Sequence, residues 1–210
     1  MLRIFQCVDG CSDCCIYREY YPSIEYGKIG VLLLPKEKPL IEKAARESKT
    51  KIRILPRIGI STADRGEAPE QILAYQLMGH SPNGDYCPFL NLSSHERSPH
   101  GGFLCNIYES RPLACKAYPV IAETRKNLEL DCKCSFSCRY GVSSAHKSMK
   151  SELAALTEIK KLVVPNKDSR IWRYATCVGE KKDKNSLLPE GWYLQDSEGL
   201  PMWSTHDDGR

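Results

Sequence analysis

Long apolar runs are absent from this chain. The longest is Val31-Leu32-Leu33-Leu34, far short of the roughly 20 residues a helix needs to cross a bilayer. No apolar segment behind a charged preface opens the sequence. The expectation is a cytoplasmic protein with no membrane partner. Blocks of lysine and arginine are also missing, so charge makes no case for nucleic acid or an anionic surface. Common enzyme signatures are lacking too: there is no Gly-x-Ser-x-Gly, no phosphate-binding loop and no dinucleotide fingerprint. The histidines, His80, His95, His100, His146 and His206, show no paired spacing. Each reads as a surface or loop residue rather than a ligand, with His95 and His100 the strongest ligand candidates of the five. A cysteine nucleophile therefore has no partner placed by sequence. No repeat or low-complexity tract is present, and 41% apolar with 27% charged residues suits one globular domain.

Cysteine is what the chain has in excess, 11 in 210 residues. That is about 5%, below a small disulfide scaffold but too much for indifferent core residues. In a reducing cytosol clustered thiols hold metal more often than they pair, and an odd number cannot pair completely. The formal charge of +4 counts every thiol as neutral. Eight thiolates holding two divalent ions would cancel it, so the basic excess points to no acidic partner.

Cys7-Val-Asp-Gly-Cys11-Ser-Asp-Cys14-Cys15 is the strongest local signal. A tetrahedral site gathers four sulfurs about 2.3 Å from its ion, and the two-residue gap between Cys11 and Cys14 lets both sulfurs face inward. Gly10 gives the turn conformational freedom just before Cys11. Consecutive side chains diverge in most backbone conformations. Cys14 and Cys15 are therefore expected to point apart and to serve two neighbouring centres or one multinuclear centre. Downstream, Cys87 precedes a proline, Cys105 opens Cys-Asn-Ile-Tyr, Cys115 follows Arg111-Pro112 by three residues, and Cys134 lies among other cysteines. Four early and four late cysteines make twice the ligand count of a closed zinc site or a cubane cluster. Closing the long loop between Cys15 and Cys87 costs roughly 4 kcal/mol, while structural zinc supplies roughly 10 to 16 kcal/mol. Chelation is thus expected to be linked to folding, with a loose metal-free chain. Cys132, Cys138 and Cys177 read as ordinary buried thiols, although Cys132 and Cys138 lie close enough to Cys134 to take its place.

At these residues the chain resembles the YkgJ-type cysteine-cluster family of zinc- or iron-chelating domains. The resemblance rests on Phe5-Gln6-Cys7 through Cys15, on Cys87-Pro-Phe-Leu90, and on Cys105-Asn-Ile-Tyr108-Glu-Ser-Arg111-Pro112-Leu-Ala-Cys115-Lys-Ala-Tyr118-Pro119. It runs from residue 5 to residue 135. In that family the last cysteine follows a hairpin after the Tyr-Pro step, often as Cys-Pro-Gly. Here the place reads Asp131-Cys132-Lys133-Cys134-Ser135-Phe136, and Cys134 aligns best. Such domains also look like part of flagellin lysine N-methylases, and nothing comparable covers residues 140–210.

Zinc gives a redox-silent structural site, whereas an iron–sulfur cluster can accept electrons or bind a ligand at an open iron. The vicinal pair and the eightfold count tilt the expectation toward iron–sulfur. Arg111 is a candidate cofactor contact, because a guanidinium offsets thiolate charge and helps fix ligand orientation. Tyr108 and Tyr118 are expected to wall the site from solvent. Cys7-x3-Cys11-x2-Cys14 is also the spacing of radical S-adenosylmethionine enzymes. Their barrels need alternating strands and helices, which do not follow residue 15, and Cys15 and the distant cysteines would go unexplained. From a different class, the alternative is a structural zinc module whose Trp-bearing extension recruits a protein partner.

The patterning predicts a small, irregular α+β domain organised around a cysteine-ligated metal centre, with a C-terminal amphipathic helix and extension. The cysteine-cluster domain covers 1–140, and a helical extension over 141–210 packs on it. Pro35 to Ser48 holds a helix started near Pro39, with Leu40, Ile41, Ala44 and Ala45 on its apolar face. Strands are expected at Lys51–Leu55 and Ile72–Met78, a loop at 91–102, and a short helical turn at Arg111–Tyr118. A hairpin joins Val120–Thr124 to Leu128–Leu130. Ser143–Val164 reads as an amphipathic helix capped by Ser143 or Ser144, with Met149, Leu153, Leu156 and Ile159 on one face. Trp172, Trp192 and Trp203 should pack rather than hang free.

Overall fold

The apolar run Gly30–Leu34 is buried throughout, and its strand character explains how. In β1 (Val31–Leu33) successive side chains point to opposite faces of a sheet. Leu32 and Leu34 enter one hydrophobic core, while Val31 and Leu33 enter another. This computed structural model describes residues 7–16, 24–62, 68–80, 86–123, 128–136, 149–162, 169–179 and 187–195.

To β1 the main sheet adds β2 (Ile54–Ser61), β3 (Gln71–Leu77), β8 (Arg170–Ala175) and β9 (Gly191–Leu194). The five strands are antiparallel, in the order β1-β3-β2-β8-β9. Two small pairs stand apart from it: β4 (Leu90–Asn91) with β5 (Leu104–Cys105), and β6 (Val120–Glu123) with β7 (Leu128–Leu130). The expected hairpin is thus present as β6 and β7, its turn lying outside the described residues. β2 departs from expectation. Lys51 and Arg53 suggest a strand over 51–55, but the strand starts at Ile54 and runs on through Pro56 to Ser61. Pro56 is tolerated because β8 pairs with β2 only from Ile58 to Ser61.

Among the helices of the described residues are α1 (Asp13–Ile16), α2 (Lys38–Glu47), α3 (Leu113–Ala117) and α4 (Lys150–Leu162). α2 carries Pro39 in its first turn and buries Ile41 and Ala45. Leu40 is 59% exposed, so it does not share that buried face. α4 buries Glu152, Ala155, Leu156 and Ile159, the spacing of one helical stripe. The expected cap at Ser143 or Ser144 and the end at Val164 lie outside the described residues.

Leu32, Leu34, Ile58 and Ala74 from the sheet meet Ala117, Val120, Leu128, Leu156 and Ile159 in the first core. In the second, Val31, Leu33 and Leu77 meet Ile41, Cys87, Phe89 and Ile107. Gln76 is fully buried and satisfied: its Oε1 accepts from the Gly30 amide at 2.9 Å, and its Nε2 donates to the Pro56 carbonyl at 2.7 Å. Trp172 is buried, with Nε1 donating to Ser61 Oγ at 2.8 Å. Trp192 packs edge-on against Tyr174, and Trp203 lies outside the described residues.

Candidate metal centre

The N-terminal cysteines are held by backbone bonds to a distant loop. The Cys7 amide donates to the His100 carbonyl at 2.6 Å, Gly10 to Gly101 at 3.1 Å, and Phe103 to the Cys11 carbonyl at 3.2 Å. Gly10 has φ +67°, the left-handed conformation that favours glycine. A side chain on Gly102 would stand 2.5 Å from the Cys11 carbonyl oxygen, so that contact needs glycine. In α1, Cys14 and Cys15 do not point apart as expected. Neighbours on a helical turn diverge by only about 100°, and their sulfurs stand 3.8 Å apart.

Each later cysteine sits on backbone fixed by hydrogen bonds. The Cys87 amide donates to the Cys15 carbonyl at 2.7 Å, and Cys105 pairs with Leu90 across β4 and β5. Ser98, almost fully buried, accepts from the Cys105 amide at 2.9 Å and donates to the Phe103 carbonyl at 2.8 Å. Cys115 lies in α3, whose Leu113 amide donates to Glu37 Oε1 at 2.7 Å; Glu37 Oε2 accepts from the Leu34 amide at 2.8 Å. One buried carboxylate thus ties the start of α3 to the chain entering α2. Cys134 closes a turn on the Asp131 carbonyl at 3.0 Å. Next to it, Ser135 Oγ donates to Asp13 Oδ2, joining this turn to α1.

All eight cysteines singled out by the sequence, Cys7, Cys11, Cys14, Cys15, Cys87, Cys105, Cys115 and Cys134, line one cavity of about 520 Å³. Cys132 and Cys177 are exposed rather than buried, because Cys132 falls on a turn and Cys177 on the chain just after β8, both outside the cores, and Cys138 lies outside the described residues. No disulfide joins any of the ten described cysteines. Among the described residues no three ligating groups stand at the spacing of a preformed metal site. The thiols surround a space rather than a point.

Burial favours the neutral thiol at Cys7 and at Cys105. Burial pushes Cys7 up to about 12, reinforced by the neighbouring Cys11 and Cys134 thiols. Burial likewise raises Cys105 to about 11; the Ile107 amide and Arg111 oppose the rise, and Cys15 and Cys115 add to it. Cationic and aromatic groups gather on one side. The Arg111 guanidinium lies 4.0 Å from the Tyr108 ring centre, and His100 stacks on the same ring at 5.3 Å. Burial, then Arg111, lowers the pKa of His100, against a smaller opposing effect of Cys15. His100 Nδ1 and Arg111 Nε are buried and make no hydrogen bond among the described residues. Tyr108 and Tyr118 also line the cavity.

Sequence reasoning set His100 among the stronger histidine candidates while reading it as a loop residue, and it passed over Glu152 and Asp131. His100 has no paired histidine, but it precedes Gly101-Gly102, a doublet that marks close backbone approach. Glu152 and Asp131 line the cavity and are nearly buried; Glu152 carries no motif, while Asp131 adjoins the cysteine turn.

Soft sulfur donors gathered from segments far apart in sequence define a thiolate metal-chelating domain, a set suited to zinc or iron–sulfur. The chain belongs to the CxxCxxCC family, described as "Putative zinc- or iron-chelating domain", whose model matches residues 6–138. No curated protein and no solved structure matches the chain.

Proposed function

We propose that this protein chelates iron as an iron–sulfur cluster through Cys7, Cys11, Cys14, Cys15, Cys87, Cys105, Cys115 and Cys134, in the reducing cytosol. The observation that carries the proposal is the convergence of these eight thiols on one cavity. A cavity of about 520 Å³ with sulfurs spread round its wall suits a cluster better than a lone ion. Such a cluster, when bound, supplies one-electron chemistry or an open iron. The chain's own part is to exclude water and supply donors. Arg111 Nε, and His100 Nδ1 in the tautomer that carries its proton there, are buried without hydrogen-bond partners among the described residues and would donate to the sulfur of a bound cluster, and the Arg111 charge would offset thiolates. The antiparallel sheet is unlike the strand–helix repeats in which radical S-adenosylmethionine chemistry is housed.

One observation favours zinc as a second reading. Eight thiols line the cavity, twice the four that close a tetrahedral zinc site, so the sulfurs present suffice for two zinc ions without added sulfide. Anaerobic purification followed by metal and acid-labile sulfide analysis separates the two. Brown protein with iron and sulfide in comparable amounts is the expected result; colourless protein carrying stoichiometric zinc would establish the second reading instead.

A further inference from the structure

The eight thiols do not surround the cavity evenly, and two independent observations sort them. The first is packing. Cys15, Cys87, Cys105 and Cys115 all belong to the core around Phe89 and Ile107, whereas Cys7, Cys11, Cys14 and Cys134 do not. The second is backbone and electrostatic contact. Cys87 is bonded to Cys15 through the main chain, and Cys105 interacts with Cys15 and Cys115. On the other side Cys7 interacts with Cys11 and Cys134, and the Asp13–Ser135 bond holds Cys134 beside α1. Cys14 follows Cys11 with the two-residue gap that turns both sulfurs inward. The groups meet at the 3.8 Å contact between Cys14 and Cys15.

We infer that the centre is built as two four-thiolate half-sites, Cys7, Cys11, Cys14 and Cys134 against Cys15, Cys87, Cys105 and Cys115, joined at the Cys14–Cys15 pair. The half-sites are inequivalent. Arg111 and His100 interact with Cys105 and Cys15 of the second half-site, while the carboxylate of Asp13 stands beside the first. Four thiolates around a divalent ion keep a net negative charge. That charge is offset by a guanidinium in the second half-site and lies next to acid in the first. Arg111 is thus a positioning and charge-balancing residue for one half only.

This inference rests on thiolate chelation, and its test uses cobalt(II) added to the metal-free chain, because tetrahedral thiolate–cobalt absorbs strongly in the visible. Two cobalt ions per chain are expected. Cys7→Ser and Cys11→Ser should each leave one, and so should Cys87→Ser and Cys105→Ser. Combining substitutions from the same half should remove no more than either alone, whereas one from each half should remove both. Arg111→Gln should weaken, by about tenfold, only the cobalt that survives Cys7→Ser. A single cobalt in the unaltered chain, or loss of both ions from one substitution in a variant whose circular dichroism is unchanged, would overturn the division. Absence of any cobalt–thiolate band would instead overturn the chelation reading itself.

Discussion

Glu37 shows how much one side chain can set. It is 8% exposed, and its two oxygens accept from Leu34, just after β1, and from Leu113 in α3. Glu37→Ala leaves two amides unpaired and should cost about 2 to 4 kcal/mol, read as a lower urea midpoint; Glu37→Gln, which keeps an acceptor, should cost less. Thiol chemistry gives a second residue-scale prediction. In metal-free protein the exposed Cys132 and Cys177 should be alkylated first, and Cys7 and Cys105 last. Burial raises the pKa of the latter two, so they stay protonated near neutrality. The rate at Cys105 should climb from about pH 7 to about pH 10 without levelling, because thiolate is the reacting species; mass mapping of the alkylated sites checks both statements. Much of the cavity's sulfur lining was legible in advance because sulfur ligation demands short, regular spacing near the N-terminus. His100 and Glu37 were not, since their roles depend on what the fold brings beside them from other segments.

At the scale of elements, the wrap of the N-terminal loop on residues 98–103 determines where Cys7 and Cys11 stand. Gly102→Ala would press a methyl carbon to 2.5 Å from the Cys11 carbonyl, and it should lower metal content and shift the thermal midpoint down. Gly191→Ala meets nothing within 4 Å and should change neither; equal losses in both would show that the effect is not local to the loop. β2 explains where strand reading falters. Pro56, Arg57 and Gly59 break the alternation that marks a half-buried strand, yet β3 and β8 supply partners on its two sides. α2 was easier, because Pro39 and the Ile41–Ala45 spacing carry their own signal, although Leu40 faces solvent against expectation.

Over the whole molecule, the sheet draws strands from both sides of the segment that carries Cys87, Cys105, Cys115 and Cys134. β8 and β9, late in the sequence, extend the sheet that begins with β1. Trp172 anchors this edge through burial and its bond to Ser61, so Trp172→Ala should cost about 3 to 5 kcal/mol and lower the thermal midpoint. Since distant segments converge on one cavity, a cation bound there would link them, and chelator treatment should lower the midpoint by mass action. The convergence of eight thiols was foreseeable from their number and type. The two cores on opposite faces of the sheet were not, because β-pairing between residues far apart leaves no local trace. The most direct test of the account is X-ray absorption at the metal edge of anaerobically purified protein. The account predicts a first shell made of sulfur, with metal–sulfur distances of about 2.3 Å; a shell of nitrogen and oxygen, or folded protein that holds no metal, would contradict it.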